Sequence, residues 1–214
     1  MTLHIKSFIC NPYQENTYLL YDETGVGVMI DPGMYSTAEE TEVSEFIKEH
    51  NLKLELLLNT HCHIDHVLGN KFIYDTYGLL PIFHENEIPI YAEIQNYAPQ
   101  MGIPYEVSPI SETFLPDSGT IQFGSHSLEL IFAPGHSPGH LCFYSESQGF
   151  LIGGDVLFKG SIGRTDLPGG NHGQLIRSIT EKIYTLPEDT LVYPGHGSTT
   201  TVGQEKRTNP FVRG

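Results

Sequence analysis

The stretch Leu54–His66, LELLLNTHCHIDH, decides how this chain of 214 residues folds. Its first half, Leu54–Thr60, is an apolar run with the length and composition of a β-strand. Four potential metal ligands follow within six residues: His61, His63, Asp65 and His66. In an extended segment alternate side chains share a side, so the first two histidines face the same way and Cys62 is expected to pack beneath them. A helix is predicted from about Asp65 to Tyr77, which directs the last two ligands to a second place nearby.

Three other apolar runs lead to a residue of the same kind. Leu128–Ala133 leads to His136, Phe150–Gly154 to Asp155, and Thr190–Tyr193 to His196. If these runs are strands that end along one edge of a sheet, all seven side chains meet there. His136 then joins His61 and His63, His196 joins Asp65 and His66, and Asp155 bridges the two groups. Five imidazoles and two carboxylates in one place predict two divalent cations with open coordination positions.

The other segments predict an α/β fold with two sheets. Ser36 and Glu39 form a capping box at the start of one helix, and Asn171 with Gln174 opens another. The order of elements predicts two sheets packed face to face with helices outside, a four-layer αββα sandwich. Further strands are expected at Thr2–Ile9, Thr17–Tyr21, Val26–Ile30, Pro81–Phe83, Thr120–Phe123 and His140–Tyr144.

The segment Glu85–Pro104 is rich in tyrosine and isoleucine and is interrupted by Pro99. We interpret it as an irregular helix packed on the sheet rather than as a substrate lid, although the sequence leaves both open.

Composition excludes several classes of function. The formal net charge of −15 argues against a nucleic-acid-binding protein and against binding to anionic membranes. No apolar stretch reaches the ~20 residues that a membrane span requires, and Met1–Lys6 lacks the core of a signal peptide. The three cysteines favour a reducing cytoplasm over a disulfide framework. Nothing in the sequence points to a particular oligomeric state.

Four motifs carry a resemblance to a known family: HCHIDH, PGHSPGH, GGD and YPGHG. With them, essentially the whole chain resembles the metallo-β-lactamase fold superfamily, and within it the short bacterial form of the glyoxalase II-like hydroxyacylglutathione hydrolases. Asn11–Tyr18, Ile30–Gly33, Gly163–Asp166 and Glu205–Pro210 are also similar to that group. The resemblance implies the αββα sandwich and a dinuclear site made of the same seven residues. From the length we expect a single metallo-β-lactamase-like domain over residues 1–214, without the extra C-terminal helical domain that classical glyoxalase II enzymes add.

The same resemblance implies a metal-dependent thioesterase whose substrate is a small molecule, in particular a hydroxyacylglutathione. The nucleophile is expected to be a hydroxide shared by two ions, with Asp65 as the catalytic residue that orients it and accepts its proton. Zinc is the first expectation, with iron or manganese as alternatives. Arg164, nine positions after Asp155, stands where classical glyoxalase II enzymes bind a glutathione carboxylate. Asp166 replaces an aromatic residue of that family and is expected to pair with Arg164.

The sequence leaves two alternative functions. A mononuclear iron persulfide dioxygenase of the same superfamily would use His61, His136 and Asp155 as a facial triad. Against it, Pro194–Gly197 follows the hydrolase pattern. A hydrolase of another ester, a lactone or a β-lactam is the second alternative. The β-lactamases of this fold commonly carry a cysteine at the position of Asp155, which disfavours the lactam.

Overall fold

The computed structural model describes residues 1–213, which contain five α-helices and thirteen β-strands. The helices are α1 (Thr37–Glu49), α2 (Asn70–Tyr77), α3 (Ile88–Tyr97), α4 (His172–Glu181) and α5 (Val202–Thr208). The strands are β1 (His4–Cys10), β2 (Glu15–Tyr21), β3 (Val26–Ile30), β4 (Lys53–Leu58), β5 (Pro81–Ile82), β6 (Ser118–Phe123), β7 (His126–Phe132), β8 (Leu141–Ser145), β9 (Phe150–Gly154), β10 (Leu157–Phe158), β11 (Ser161–Ile162), β12 (Leu191–Pro194) and β13 (Thr200–Thr201).

Two mixed sheets form the centre of the molecule. The first has the order β1-β2-β3-β4-β5, and the second has the order β13-β12-β9-β8-β7-β6. A short hairpin of β10 and β11 stands apart from both.

Three apolar clusters separate the layers. The cluster between the sheets includes Leu20, Leu58 and Phe143, all fully buried. A second cluster places α1 and α2 on the outer face of the first sheet, through residues such as Val43 and Ile73. A third places α4 and α5 on the outer face of the second sheet, with Leu175, Ile179 and Val202 buried. The four-layer αββα sandwich predicted from the sequence is therefore confirmed.

The strands that precede the seven predicted ligands end at one edge. Strand β12 is parallel to β9, and β8 is antiparallel to both β7 and β9, so β7, β9 and β12 run in the same direction. Strand β4 of the first sheet ends at the same edge, because the carbonyl of Thr60, just after it, accepts from the backbone N–H of Leu141 at the start of β8 at 2.8 Å.

The helix predicted from Asp65 is wrong at its start. Residues Ile64–His66 form one 3₁₀ turn, and α2 begins only at Asn70. Two carbonyls that a continuous helix would use are engaged elsewhere: Asp65 O accepts from the Asn11 side chain and His66 O from the Asn59 side chain. The backbone N–H of Gly69 donates to Pro32 O instead of to Asp65 O.

The segment Glu85–Pro104 is helical but broken, as the prolines suggested. A 3₁₀ turn at Glu85–Glu87 precedes α3, and another at Ala98–Met101 follows it. Its buried residues Tyr91 and Ile94 share a cluster with Cys62, Ile64 and Phe83, so the helix packs under the ligand-bearing segment at the edge of the first sheet. None of the helices within residues 1–213 combines the length and apolar character that crossing a membrane requires.

Candidate metal centre

All seven predicted ligands lie in one region, and they form two groups. In the first group, the Nε2 atom of His136 is 2.8 Å from His63 Nδ1 and 3.2 Å from His61 Nε2. The three side chains are buried. Three imidazole nitrogens converge here with at most one proton among them, so their lone pairs can bind a cation. We call them the three-histidine group.

The second group is mixed and partly exposed. Its donor atoms, from Asp65, His66 and His196, all lie within 4.8 Å of one another. Asp65 Oδ2 is 3.1 Å from His196 Nε2 and 3.8 Å from His66 Nε2. The side chains of His196 and Asp65 keep 27% and 15% of their exposure, so this group forms the mouth of the centre.

Asp155 lies between the two groups. Its Oδ1 is 3.5 Å from His66 Nε2, and its Oδ2 is 3.5 Å from His136 Nε2 and 3.6 Å from His196 Nε2. The turn that carries His196 closes over this carboxylate, because a Cβ at Gly195 would lie 2.2 Å from Asp155 Oδ1. One carboxylate thus faces donor atoms of both groups.

Hydrogen bonds on the outer side fix the orientation of four imidazoles. The Nδ1–H of His136 donates to Arg164 O at 2.8 Å, that of His196 to Tyr13 O at 3.1 Å, and that of His66 to Asp31 Oδ2 at 3.0 Å. Thr60 gives its hydroxyl proton to Asp31 Oδ2, so Thr60 Oγ1 accepts from His61 Nδ1 at 3.0 Å. In each ring Nε2 therefore points to the centre, the arrangement of metal-binding histidines.

Burial sets the protonation of the three-histidine group. It lowers the pKa of His63 to about 3 and also lowers the pKa of His61 and of His136, so all three are neutral near pH 7. Neutral imidazole is the form that binds metal.

The carboxylates and the second group behave differently. Burial raises the pKa of Asp155 and of Asp65, but the neighbouring histidines, His66 foremost, together outweigh it, and both pKa values lie below the usual range. Burial lowers the pKa of His66, but Asp155 and Asp65 outweigh it, and the net pKa is well above its usual value. A metal ion at His66 would displace that proton.

The buried charges and unpaired atoms fit a pair of cations. Asp31, Asp65 and Asp155 cluster here, and within residues 1–213 their ion-pair partners are histidines rather than lysines or arginines. Burial raises the pKa of a fourth carboxyl beside them, that of Glu15, well above its usual value. His66 Nε2 and Asp155 Oδ1 are buried and have no hydrogen-bond partner among the described residues. Unpaired buried polar atoms and unbalanced buried charge are costly unless an ion compensates them. The donor set therefore fits a dinuclear metal site.

Arg164 lies beside the centre with its guanidinium on the surface. Its side chain is 61% exposed and makes a bidentate pair with Asp166, with distances of 2.7 and 2.8 Å. The pairing predicted from the sequence is confirmed. Cys62 packs beneath the centre with Ile64 and Phe83, as its position between two ligands predicted.

Sequence reasoning missed the residues that orient the ligands. Asp31 accepts from Thr60 N, from Thr60 Oγ1 and from His66 Nδ1, so its oxygens are engaged although it lies near His61 and His66. A signal was available, because Asp31 directly follows β3, which is parallel to β4. Tyr13 orients His196 through its backbone carbonyl, so its residue type gives no indication of this role in the sequence.

The comparisons with known proteins cover nearly the whole chain. The family model of the Metallo-beta-lactamase superfamily matches residues 10–196. The hydroxyacylglutathione hydrolase GloC of Haemophilus influenzae is 35% identical over 218 residues, which covers 98% of this chain and 98% of GloC.

Two solved structures are similar in fold and in sequence. The B3 metallo-beta-lactamase BLEG-1 superposes with a TM-score of 0.90 at 34% identity and covers 99% of this chain and 100% of its own. TTHA1623, solved in a di-iron-bound form, superposes with a TM-score of 0.86 at 35% identity and covers 97% of this chain and 100% of its own.

Proposed function

This chain is a metallo-hydrolase of the Metallo-beta-lactamase superfamily, and we propose that it cleaves thioesters, in particular those of hydroxyacylglutathiones. The observation that carries the proposal is the position of Asp155, whose two oxygens face both donor groups. Similarity to GloC over 98% of both chains supports the choice of substrate. The other features that support it are the ionised Asp65 at the mouth and Arg164, whose backbone carbonyl contacts His136 and whose guanidinium is exposed.

We assign His61, His63 and His136 to one ion, Asp65, His66 and His196 to the other, and Asp155 to both. When bound, divalent cations would lower the pKa of a water molecule to about 7 and polarise the thioester carbonyl. Zinc is the ion we expect, while the di-iron form of TTHA1623 keeps iron as the alternative.

Asp65 is the catalytic residue of this proposal. Its pKa is below the usual range, so its carboxylate is ionised near pH 7. Its place at the mouth lets it orient the attacking water and accept its proton. Its Oδ2 lies 3.1 Å from His196 Nε2, at the mouth of the centre. The departing thiolate needs no general acid, because a thiol has a pKa of about 8.5.

Arg164 binds the substrate in this proposal. Its carbonyl is tied to His136 and its guanidinium is exposed, so it can meet a carboxylate of the glutathione part while the thioester lies over the ligands. Asp166 competes for the same guanidinium and weakens this interaction.

A β-lactamase is the second candidate, favoured by the superposition with BLEG-1. The persulfide dioxygenase considered from the sequence would use three of the seven residues. The four others lie in the same centre, which favours a hydrolase with two ions over that alternative.

One comparison of activities tests the proposal. Protein with a measured ion content is given S-lactoylglutathione, the β-lactam nitrocefin, or glutathione persulfide with recording of oxygen uptake. We expect hydrolysis of the thioester to exceed the other two reactions. Faster hydrolysis of nitrocefin, or rapid oxygen uptake by protein with one iron per chain, would reverse the assignment.

A further inference from the structure

Glu87 is a fully buried carboxylate to which the proposed function gives no role. It lies at the end of the 3₁₀ turn before α3, and both of its oxygens accept hydrogen bonds. Oε2 accepts from the backbone N–H of Cys62 at 2.8 Å. Oε1 accepts from the backbone N–H of Gly139 at 2.6 Å and from the hydroxyl of Ser137.

The three donors belong to the two segments that carry the three-histidine group. Cys62 stands between His61 and His63, and Ser137 directly follows His136. The contact with the second segment is close: a Cβ at Gly139 would lie 2.8 Å from Glu87 Cγ and 3.0 Å from Glu87 N. One side chain therefore joins segments that lie 25 and 50 or more residues away from it.

The second segment also reaches Asp155. His140 follows Gly139, and its Nε2 accepts from the backbone N–H of Asp155 at 3.0 Å. The ring of His140 stacks on His61 with 4.9 Å between the ring centroids. A shift of the Gly139 backbone would thus be transmitted to the bridging carboxylate as well as to His136.

We propose that Glu87 is a positioning residue of the three-histidine group, which holds His61, His63 and His136 at their spacing by tying segment 61–63 to segment 136–139. The inference rests on the proposed function in one respect, that this group binds an ion. Only a carboxylate accepts at both ends, so it alone serves both backbone N–H groups. Outer partners of metal ligands typically contribute 10- to 100-fold in metal affinity.

The variant Glu87→Gln tests this positioning role while keeping the size of the side chain. An amide has one accepting end, so either Cys62 N–H or Gly139 N–H faces a donor in the variant. The full-length protein is loaded with Co²⁺ and titrated with a chelator, while the visible spectrum and the ion content report the release of each ion. His136→Ala, which removes a proposed ligand, identifies the release step that belongs to the three-histidine group.

Glu205→Gln is the matched control. Glu205 is also buried and accepts from Gly160 N, Thr200 Oγ1 and Asn209 Nδ2, so it joins loops in the same manner away from the proposed ligands. We expect Glu87→Gln to lower the metal affinity measured in the release step that His136→Ala identifies by about 10- to 100-fold. The metal affinity of the other release step should stay within about threefold of wild type. Glu205→Gln should leave the affinities of both steps unchanged.

The outcomes separate this inference from the proposed function. Wild type that holds two ions, beside Glu87→Gln with unchanged affinities, would overturn the inference alone. An equal loss in both steps, matched by Glu205→Gln, would show general destabilisation and would also overturn it. Wild type that holds no ion would overturn both. If Glu87→Gln does not fold, Ser137→Ala removes one hydrogen-bond donor from the same carboxylate. An unchanged metal affinity of the three-histidine group in that variant would overturn the inference.

Discussion

His63 Nδ1 lies 2.8 Å from His136 Nε2, although 73 residues separate them in the chain. Burial lowers the pKa of both rings, so both are neutral near pH 7. Their contact is therefore not a charge-assisted hydrogen bond from a protonated imidazole. His136 already donates its Nδ1–H to Arg164 O, so its Nε2 lone pair faces His63. Two neutral rings this close share an ordinary hydrogen bond from His63 Nδ1–H, and the same two nitrogens are placed to bind the divalent cation proposed above.

Asp155→Asn should remove ion content and activity together. The substitution keeps the size of the side chain but removes the charge that faces both donor groups. We expect fewer than two ions per chain and a loss of thioester turnover by more than about 100-fold. Ion content is measured by elemental analysis beside steady-state rates, and Asp189→Asn, at an exposed position outside the centre, is the control. Full ion content with wild-type turnover would rule out the bridging role.

Arg164 and Asp166 should have opposite effects on substrate binding. Arg164→Ala removes a cation for an anionic substrate, so KM for S-lactoylglutathione should rise about threefold or more while kcat changes little. Asp166→Ala frees the guanidinium from its bidentate partner, so KM should fall. Both effects should shrink as salt is raised. A fall in KM for Arg164→Ala, or no effect of either substitution, would remove Arg164 from the substrate site.

The sequence was sufficient to predict the layers and the seven candidate ligands because each lies where a strand ends. Strand ends are readable from apolar runs, as Leu128–Ala133 before His136 shows. The helix that was placed at Asp65 shows the limit of this reading. Its true start at Asn70 depends on Asn11 and Asn59, whose side chains take the carbonyls of Asp65 and His66. Such contacts between distant segments leave no local pattern.

Cys62 should be dispensable for metal binding despite its position between two ligands. Its side chain is buried with Ile64 and Phe83, and burial raises the pKa of its thiol well above the usual value. Cys62→Ala should therefore keep two ions per chain and lose about 1–2 kcal/mol of unfolding free energy through the cavity it leaves. Ion content and urea unfolding check the two statements separately. Loss of an ion from the folded variant would make Cys62 a ligand.

Asp22 should make part of the stability dependent on pH. Its carboxylate accepts from Thr24 and, at 2.9 Å, from His126 Nε2 at the start of β7, which joins the two sheets. Burial raises its pKa, but these hydrogen bonds outweigh it, and the net pKa is below the usual value. Because the folded pKa is depressed, the stabilisation is complete above the unfolded pKa and is lost as the pH falls through the folded pKa.

Asp22→Asn should therefore lower the unfolding free energy by about 1–2 kcal/mol near pH 7. The difference from wild type should narrow below about pH 4. Asp117→Asn is the matched control, since Asp117 pairs with His84 at 2.8 Å but is 70% exposed. It should cost less than about 0.5 kcal/mol. Urea unfolding at several pH values measures both, and a difference for Asp22→Asn that stays constant at low pH would contradict the account.

The orienting residues were harder to predict than the ligands. Asp31 follows a strand as Asp155 does, yet its oxygens are occupied by Thr60 and His66, which only the packed structure shows. Glu87 precedes a helix with nothing in its neighbourhood to mark it, and its partners lie 25 to 52 residues away. The sequence indicates which residues can bind an ion, whereas their spacing depends on long-range hydrogen bonds.

Anomalous diffraction from crystals of the zinc-loaded protein locates bound ions without reference to activity, so it tests the dinuclear centre itself. We expect two anomalous peaks about 3.5–4 Å apart. One should lie among His61, His63 and His136, the other among Asp65, His66 and His196, with Asp155 touching both. A single peak, or peaks away from Asp155, in crystals grown with excess zinc would contradict it.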